Sequence, residues 1–374
     1  PLFARWESLH RFLLKSTAAH PDDRFQSAPE MAAQLTGVLR EVVALSQGTP
    51  RPAASALFGG DHLPGLLADN RARIDAPDWR VLPSPRVDPA DPAASFLQDL
   101  PDDDPSRRLD LIAQATGTVE PTVELFLARA RALIEIGADA QPALDAAGQL
   151  DLWDWRIRWY RALELLSKGT TSDAAEIFSQ VWTDIPGEVA PKLAVALAAE
   201  YHGALDRAAR LYEEVMATDP SYVSAAFGLA RCRRNSGDVD GAVAAYRLVP
   251  TSSATYYDAQ LASARAQVGV GTATKPPSPA ELQSAARTLE RLQLDATERA
   301  NLSAEILERA LASQSSGGMG PNDKLELFGE SLTGARLRDG LEAAYREQAR
   351  MAATADERIR LAERATRVRR WTLF

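Results

Sequence analysis

The sequence predicts an all-α fold, a solenoid of about three to four helical hairpins followed by C-terminal capping helices. Gly169, Gly203 and Gly237 recur every 34 residues, and Ala174, Ala208 and Ala242 keep the same interval. Phe178, Tyr212 and Tyr246 repeat with them, as do Val181, Val215 and Val249, while Pro186 and Pro220 add a fifth register. Aromatic residues make up only 7% of a chain rich in alanine, which favours close-packed helices over sheets.

Residues 2–45 read as two helices around a loop. Leu2, Phe3, Trp6, Leu9, Phe12 and Leu13 lie at helical spacing, and Pro21 ends that run. Ser27 is a good N-cap, with Pro29 and Glu30 in the first turn of a helix that continues through Met31, Leu35, Val38, Leu39, Val42 and Val43. Residues 46–118 are dense in proline and glycine, which predicts no long regular element. Leu57, Phe58, Leu63, Leu66, Leu67, Trp79, Val81 and Leu82 are nonetheless too apolar for a free linker. The stretch is expected to be an ordered connector packed on its neighbours, with a short helix beginning near Pro92.

The repeat domain is expected over residues 119–268. A degenerate first copy carries Val123, Phe126, Leu127, Ala130, Leu133 and Ile134 as a helical stripe, with Ala128 placed 34 residues before Ala162 and Gly137 two residues late. Clear copies follow at 155–188, 189–222 and 223–256. Small, small, aromatic and proline positions at this period are the signature of the tetratricopeptide repeat. Ala162, Ala196 and Ala230 mark where the second helix crosses the first, and a larger group there would overpack the crossing by roughly 1–3 kcal/mol. One hairpin cannot bury both faces, so neighbours stack. Pro250 comes four residues early, which shortens the last second helix.

Residues 269–374 are expected to be a helical extension. Ser278, Pro279 and Glu281 form a good helix start. Helices are expected at about 279–293, 295–312, 322–350 (broken near Gly329 to Gly334) and 354–370, with a flexible joint from Ser313 to Gly320. Arg364, Arg367, Arg369 and Arg370 complement the dipole at the end of the last helix.

No active site emerges. The glycines at Gly317, Gly318 and Gly320 run into Pro321, and Gly269-Val270-Gly271 lacks a preceding strand, so neither forms a phosphate loop. His10, His20, His62 and His202 have no metal-ligand spacing with each other or with Cys232, the single cysteine. The net charge of −9 gives no electrostatic reason to bind nucleic acid or an anionic membrane. No apolar run approaches the roughly 18 residues of a membrane span. These features point to a cytoplasmic chain, and a first residue other than methionine suggests a piece of something longer.

The remaining candidate is a binding surface. First helices of such repeats line a concave groove, which would present Trp159 from one copy, Leu197, Glu200 and Tyr201 from the next, and Phe227, Arg231, Arg234 and Asn235 from the third. Arginines with an asparagine can grip a peptide carboxylate or an acidic segment, although they can equally pair with neighbouring acids.

His20-Pro21-Asp22-Asp23-Arg24-Phe25, followed by Ser27, Glu30, Met31 and Leu35, resembles the end of a protein kinase catalytic domain. That likeness implies that Arg24 is a structural lock of the kinase large lobe whose glutamate partner lies outside this chain. Several longer runs are similar to the C-terminal region of the actinobacterial protein kinase G family. They include Gln34 to Ala44, Pro50-Arg51-Pro52 with Ser55 and Phe58, and Val87 to Ser95. Pro186 to Ala194 and Ser224 to Arg231 followed by Gly237-Asp238 complete them, while the likeness is weak between Gly59 and Pro85.

The resemblance implies that residues 1–45 end a kinase domain and that the repeats form its regulatory, protein-binding region. The parent serine/threonine kinase would use ATP and magnesium, and iron in a rubredoxin-like module. The chain itself would hold no catalytic residue and no cofactor. Expected partners are the kinase domain itself, a second subunit, or a forkhead-associated substrate that controls glutamate and 2-oxoglutarate metabolism. The alternative is a stand-alone tetratricopeptide adaptor in which residues 2–45 are a helical cap.

Overall fold

Each hairpin turns on a glycine that only a residue without a side chain can supply cheaply. The computed structural model describes residues 5–68, 75–115, 117–269, 276–292, 294–316, 325–328 and 330–369. In it Gly169, Gly203 and Gly237 take φ of +83°, +81° and +83°. That is the left-handed region in which a Cβ is penalised, and each glycine follows the first helix of its hairpin.

The chain divides into two compact units, Pro1–Cys232 and Arg233–Phe374. The first begins with α1 (Glu7–Ser16) and α2 (Ala28–Gln47). The connector carries the short helices α3 (Leu63–Ala68) and α4 (Ala94–Gln98), then α5 (Pro105–Ala115). Three hairpins follow: α6 (Val123–Glu135) with α7 (Gln141–Leu150), α8 (Trp155–Ser167) with α9 (Thr171–Asp184), and α10 (Val189–Tyr201) with α11 (Leu205–Thr218). The unit boundary falls inside α12 (Val223–Asn235).

The periodic side chains are the core. Ala162, Ala196, Ala174, Ala208, Phe178, Tyr212, Val181 and Val215 are all buried. A Cβ built on Gly228 would sit 2.4 Å from Cζ of Tyr212, so the tyrosine ring lies flush on the backbone of α12. The first hairpin departs from the expected register. Ala138-Asp139-Ala140 separate Gly137 (φ +74°) from α7, where Thr170 alone separates Gly169 from α9. The extra residues lie after the glycine, so Ala130 rather than Ala128 takes the place of Ala162, fully buried while Ala128 is half-buried.

The connector holds one element longer than its composition predicts. Asp104 caps α5 by accepting from the N–H of Arg107 at 2.9 Å, and Pro105 opens the helix. This is the cap-then-proline signal that also starts α2, where Ser27 accepts from the N–H of Glu30. Phe58, Leu63, Val81 and Leu82 of the connector are buried, as their apolar character requires.

The second unit contains the rest of α12, then α13 (Val239–Tyr246), α14 (Tyr256–Gln267), α15 (Pro279–Arg291), α16 (Ala296–Ser315), α17 (Gly334–Met351) and α18 (Ala355–Val368). Pro250 does shorten the repeat: α13 spans 8 residues against 14 in α11. Ser278 and Glu281 make a reciprocal capping box at α15. Of the helix expected at 322–350 and broken near Gly329 to Gly334, the part after the break is α17, while before it stands an antiparallel pair, β1 (Leu325–Leu327) with β2 (Glu330–Leu332). Leu325-Glu326-Leu327 alternates buried, exposed, buried, which is strand periodicity, and its leucines enter the core with Leu282, Leu337 and Leu341. Arg364 does not simply face the end of α18. It donates to Glu308 Oε1 at 2.5 Å and stacks 4.5 Å from the ring centre of Tyr345. The expected joint at Ser313 to Gly320 lies in part outside the described residues, as does Arg370.

Candidate functional site

The face presented by the first helices is already in contact with the chain's own connector. Phe58 packs between Trp155 and Trp159 of α8, with ring centres 5.1 and 4.9 Å apart. Phe178 closes the other side of Trp159 at 5.2 Å. The Tyr201 hydroxyl of α10 donates to the carbonyl of Pro77 at 3.0 Å. Asp61 Oδ2 accepts from the N–H of Ser224, at the start of α12, at 2.6 Å. Ser55 donates to Glu188 Oε2 at 2.7 Å, just before α10. Stretches 55–61 and 77–88 thus follow the surface on which an external peptide was expected.

That path decides where the expected groove residues lie. Trp159 and Phe227 are fully buried. Arg231 is buried too, and its Nε and Nη2 donate to the two carboxylate oxygens of Glu200 at 2.7 and 2.8 Å. The Tyr212 hydroxyl donates to the same carboxylate at 2.8 Å, so Glu200 joins α10, α11 and α12. Arg234 and Asn235 belong to the second unit and line a cavity with Asp238, Asp240 and Glu281. Within the first unit, Trp159, Phe227 and Arg231 are therefore core residues, and Tyr201 is engaged by the connector. Arg24 lies in an exposed loop, where its Nε donates to the carbonyl of Ala18 at 2.8 Å.

A second set of residues, missed in the sequence, fastens α1 and α2 to the second helices of the repeats. Helix α1 packs on α9 and α2 packs on α11. Lys192 of α10 bridges Glu41 at 2.8 Å and Glu214 at 2.7 Å, with only 3% of its side chain exposed. Ser8 donates to the same Glu41 at 2.8 Å and accepts from the Trp182 indole at 3.2 Å. Arg11 stacks on Trp182 at 4.2 Å and donates to the Ser179 carbonyl at 2.7 Å. Burial alone would discharge Lys192, but Glu41 and Glu214 outweigh it and hold its pKa above the ordinary lysine value. The available signal was a lone lysine in the apolar run Val189 to Ala199.

Burial also pushes the Asp61 carboxyl up to about 6, against the two backbone N–H groups of Ser224 and Leu63 that favour its charge. No helix among the described residues is long and apolar enough to cross a membrane.

Residues 69–372 match the family model described as protein kinase G tetratricopeptide repeat. Two curated relatives align over part of the chain. Serine/threonine-protein kinase PknG of Mycolicibacterium smegmatis is 34% identical over 230 residues, and that of Mycobacterium leprae is 37% identical over 231. Each alignment covers 55% of this chain and 30% of the relative, so the matched stretch is under a third of those kinases. Among solved structures, the C-terminal part of a TPR repeat-containing protein from Cytophaga hutchinsonii superposes with a TM-score of 0.48 at 12% identity, covering 72% of this chain and 97% of that one.

Proposed function

The chain belongs to the protein kinase G tetratricopeptide repeat family, and on that premise we propose that it is the regulatory and protein-interaction region of a serine/threonine kinase. In this reading the fragment is non-catalytic and cytoplasmic. Catalysis with ATP and magnesium belongs to the parent's kinase domain, and iron to its rubredoxin-like module. Among the described residues no group of His, Cys, Asp and Glu is placed to hold a metal.

One observation carries the reading. The buried network of Lys192, Glu41, Ser8 and Trp182 makes α1 and α2 integral with the repeats. A kinase domain ending in those helices is held rigidly by the repeat domain rather than tethered to it. Partners are then the kinase domain itself, a second subunit, or a forkhead-associated substrate linked to glutamate and 2-oxoglutarate metabolism. Any partner using the first-helix face must do so beside the connector.

The test uses the full-length parent with Lys192→Met, which uncouples α2 from the repeats. The expected result is a changed KM for a forkhead-associated substrate with the intrinsic ATPase rate retained. Unchanged kinetics on that substrate, with α2 shown by proteolysis to be loosened, would remove the regulatory role.

A further inference from the structure

Where the connector closes over α6 and α8 it leaves two adjoining cavities of about 360 Å³ each, which share Asp102, Arg131 and Tyr160. Four arginines line the first cavity, and their hydrogen bonds are unequally used. Arg108 spends its guanidinium on Glu135 and on the carbonyls of Pro101 and Asp102. Arg156 is taken up by Asp154 and Glu124. Arg131 differs: its Nε donates to Glu135 at 2.8 Å, while among the described residues its outer nitrogens meet only the Asp102 carboxylate, 3.8 Å from Nη1 and too far for a hydrogen bond. Arg86 of the connector donates from Nε to the Phe58 carbonyl and is paired with no acid among the described residues.

Tyr160 adds a third donor. Its side chain is buried, its hydroxyl bonds to no described residue, and burial pushes it up to about 12, so it stays a neutral donor at physiological pH. The one loosely placed acid, Asp102, is 90% exposed and can swing into solvent.

We propose that this cavity is a binding site for a small oxyanion, a carboxylate or phosphate group, held by the outer nitrogens of Arg131 and Arg86 and by the Tyr160 hydroxyl. Planar guanidinium forks match such groups in pairs of hydrogen bonds. The volume suits a small metabolite rather than a peptide, standing near the lower end of the roughly 300–1,000 Å³ common for ligand pockets. The ligand takes the place that the Asp102 carboxylate only approaches. The site joins the connector to the first two hairpins, so occupancy ties the connector down.

His62, in the adjoining cavity, supplies a reporter. Burial lowers its pKa and the charge of Arg131 lowers it further, while Glu135 and Asp102 oppose this. An anion on Arg131 cancels part of that charge, so His62 titrates at higher pH when the site is filled.

The experiment titrates the full chain with succinate and, separately, with inorganic phosphate at fixed ionic strength. Calorimetry follows binding, and the His62 ring resonances are followed by NMR. Saturable binding with an upward His62 shift is expected from one anion or both, and the anion that produces it names the carboxylate or the phosphate. Tyr160→Phe and Arg86→Ala leave the Arg131–Glu135 pair intact, and each is expected to weaken binding about tenfold or more, as for loss of a hydrogen bond to a charged group. No saturable response to either anion overturns the proposal, as does an affinity unchanged in both variants.

Discussion

Gly37 of α2 and Gly187 of the turn after α9 meet backbone to backbone. A Cβ on Gly37 would lie 2.1 Å from the Gly187 carbonyl oxygen, and one on Gly187 would lie 2.3 Å from the Gln34 carbonyl oxygen. The Gln34 side chain secures the crossing by accepting from the Gly187 N–H at 2.8 Å. The obstacle on each side is backbone, which cannot rotate away. Gly37→Ala should therefore destabilise the chain by about 1–3 kcal/mol, as overpacking does, and loosen α2 selectively. Urea denaturation with hydrogen exchange on residues 28–47 checks both effects. Exchange in α2 no faster than in wild type would show that the helix adapts.

The Lys192 bridge should be costly to break from either end. Lys192→Met leaves Glu41 buried beside Trp182 without its cation, and breaking a buried pair by removing one partner costs about 3–5 kcal/mol. The sign of the pH effect follows from the raised pKa. The lysine's contribution is fully present below its unfolded value and is lost only as pH rises through the folded one. The wild type and Lys192→Met should therefore differ by a constant amount across neutral pH, with the gap narrowing only in strong alkali. Thermal unfolding between pH 6 and 9 measures this.

Arg231 offers a warning for groove mutagenesis. It is clamped on Glu200, so Arg231→Ala should lower stability by about 3–5 kcal/mol by leaving that carboxylate buried and uncompensated. Tyr212→Phe removes only a hydroxyl from the same carboxylate and should cost about 1–2 kcal/mol. Circular dichroism melts of both variants, run before any binding assay, separate unfolding from loss of a partner. A stable Arg231→Ala protein would contradict the pairing.

These cases show which parts of the molecule were legible in sequence. The hairpins were, because glycine, alanine and aromatic positions are fixed by local geometry that repeats. The Ser278 capping box and the short α13 were legible for the same reason. The Ala128 register was not, because the residues added after Gly137 shift the helix without disturbing its stripe. The strands Leu325–Leu327 and Glu330–Leu332 were short enough for a helical reading of their leucines. Above all, the path of the connector was invisible. Contacts such as Phe58 with Trp159 and Asp61 with Ser224 join residues 101 and 163 apart in sequence, and no periodicity encodes them. Trp159 is therefore covered where a bare repeat would expose it.

Asp61 makes its contact with Ser224 titratable. Its folded pKa of about 6 stands above the ordinary 3.8, so the folded chain binds the proton more tightly than the unfolded one. Stability from this group is therefore present at low pH and declines as pH rises from about 4 to 6, after which it is flat. The shift corresponds to at most about 3 kcal/mol. Asp61→Asn keeps an oxygen to accept from the Ser224 N–H but carries no charge. It should erase this part of the slope, while its amide nitrogen gives up the bond from the Leu63 N–H at every pH. Asp184 and Glu188, also raised by burial, contribute slopes of the same sign that both proteins share, so the difference between variant and wild type isolates Asp61. Urea unfolding at half-unit steps from pH 4 to 7.5 gives that difference. A constant gap across the range would mean that the carboxyl is solvated and that the connector does not seal it against α12.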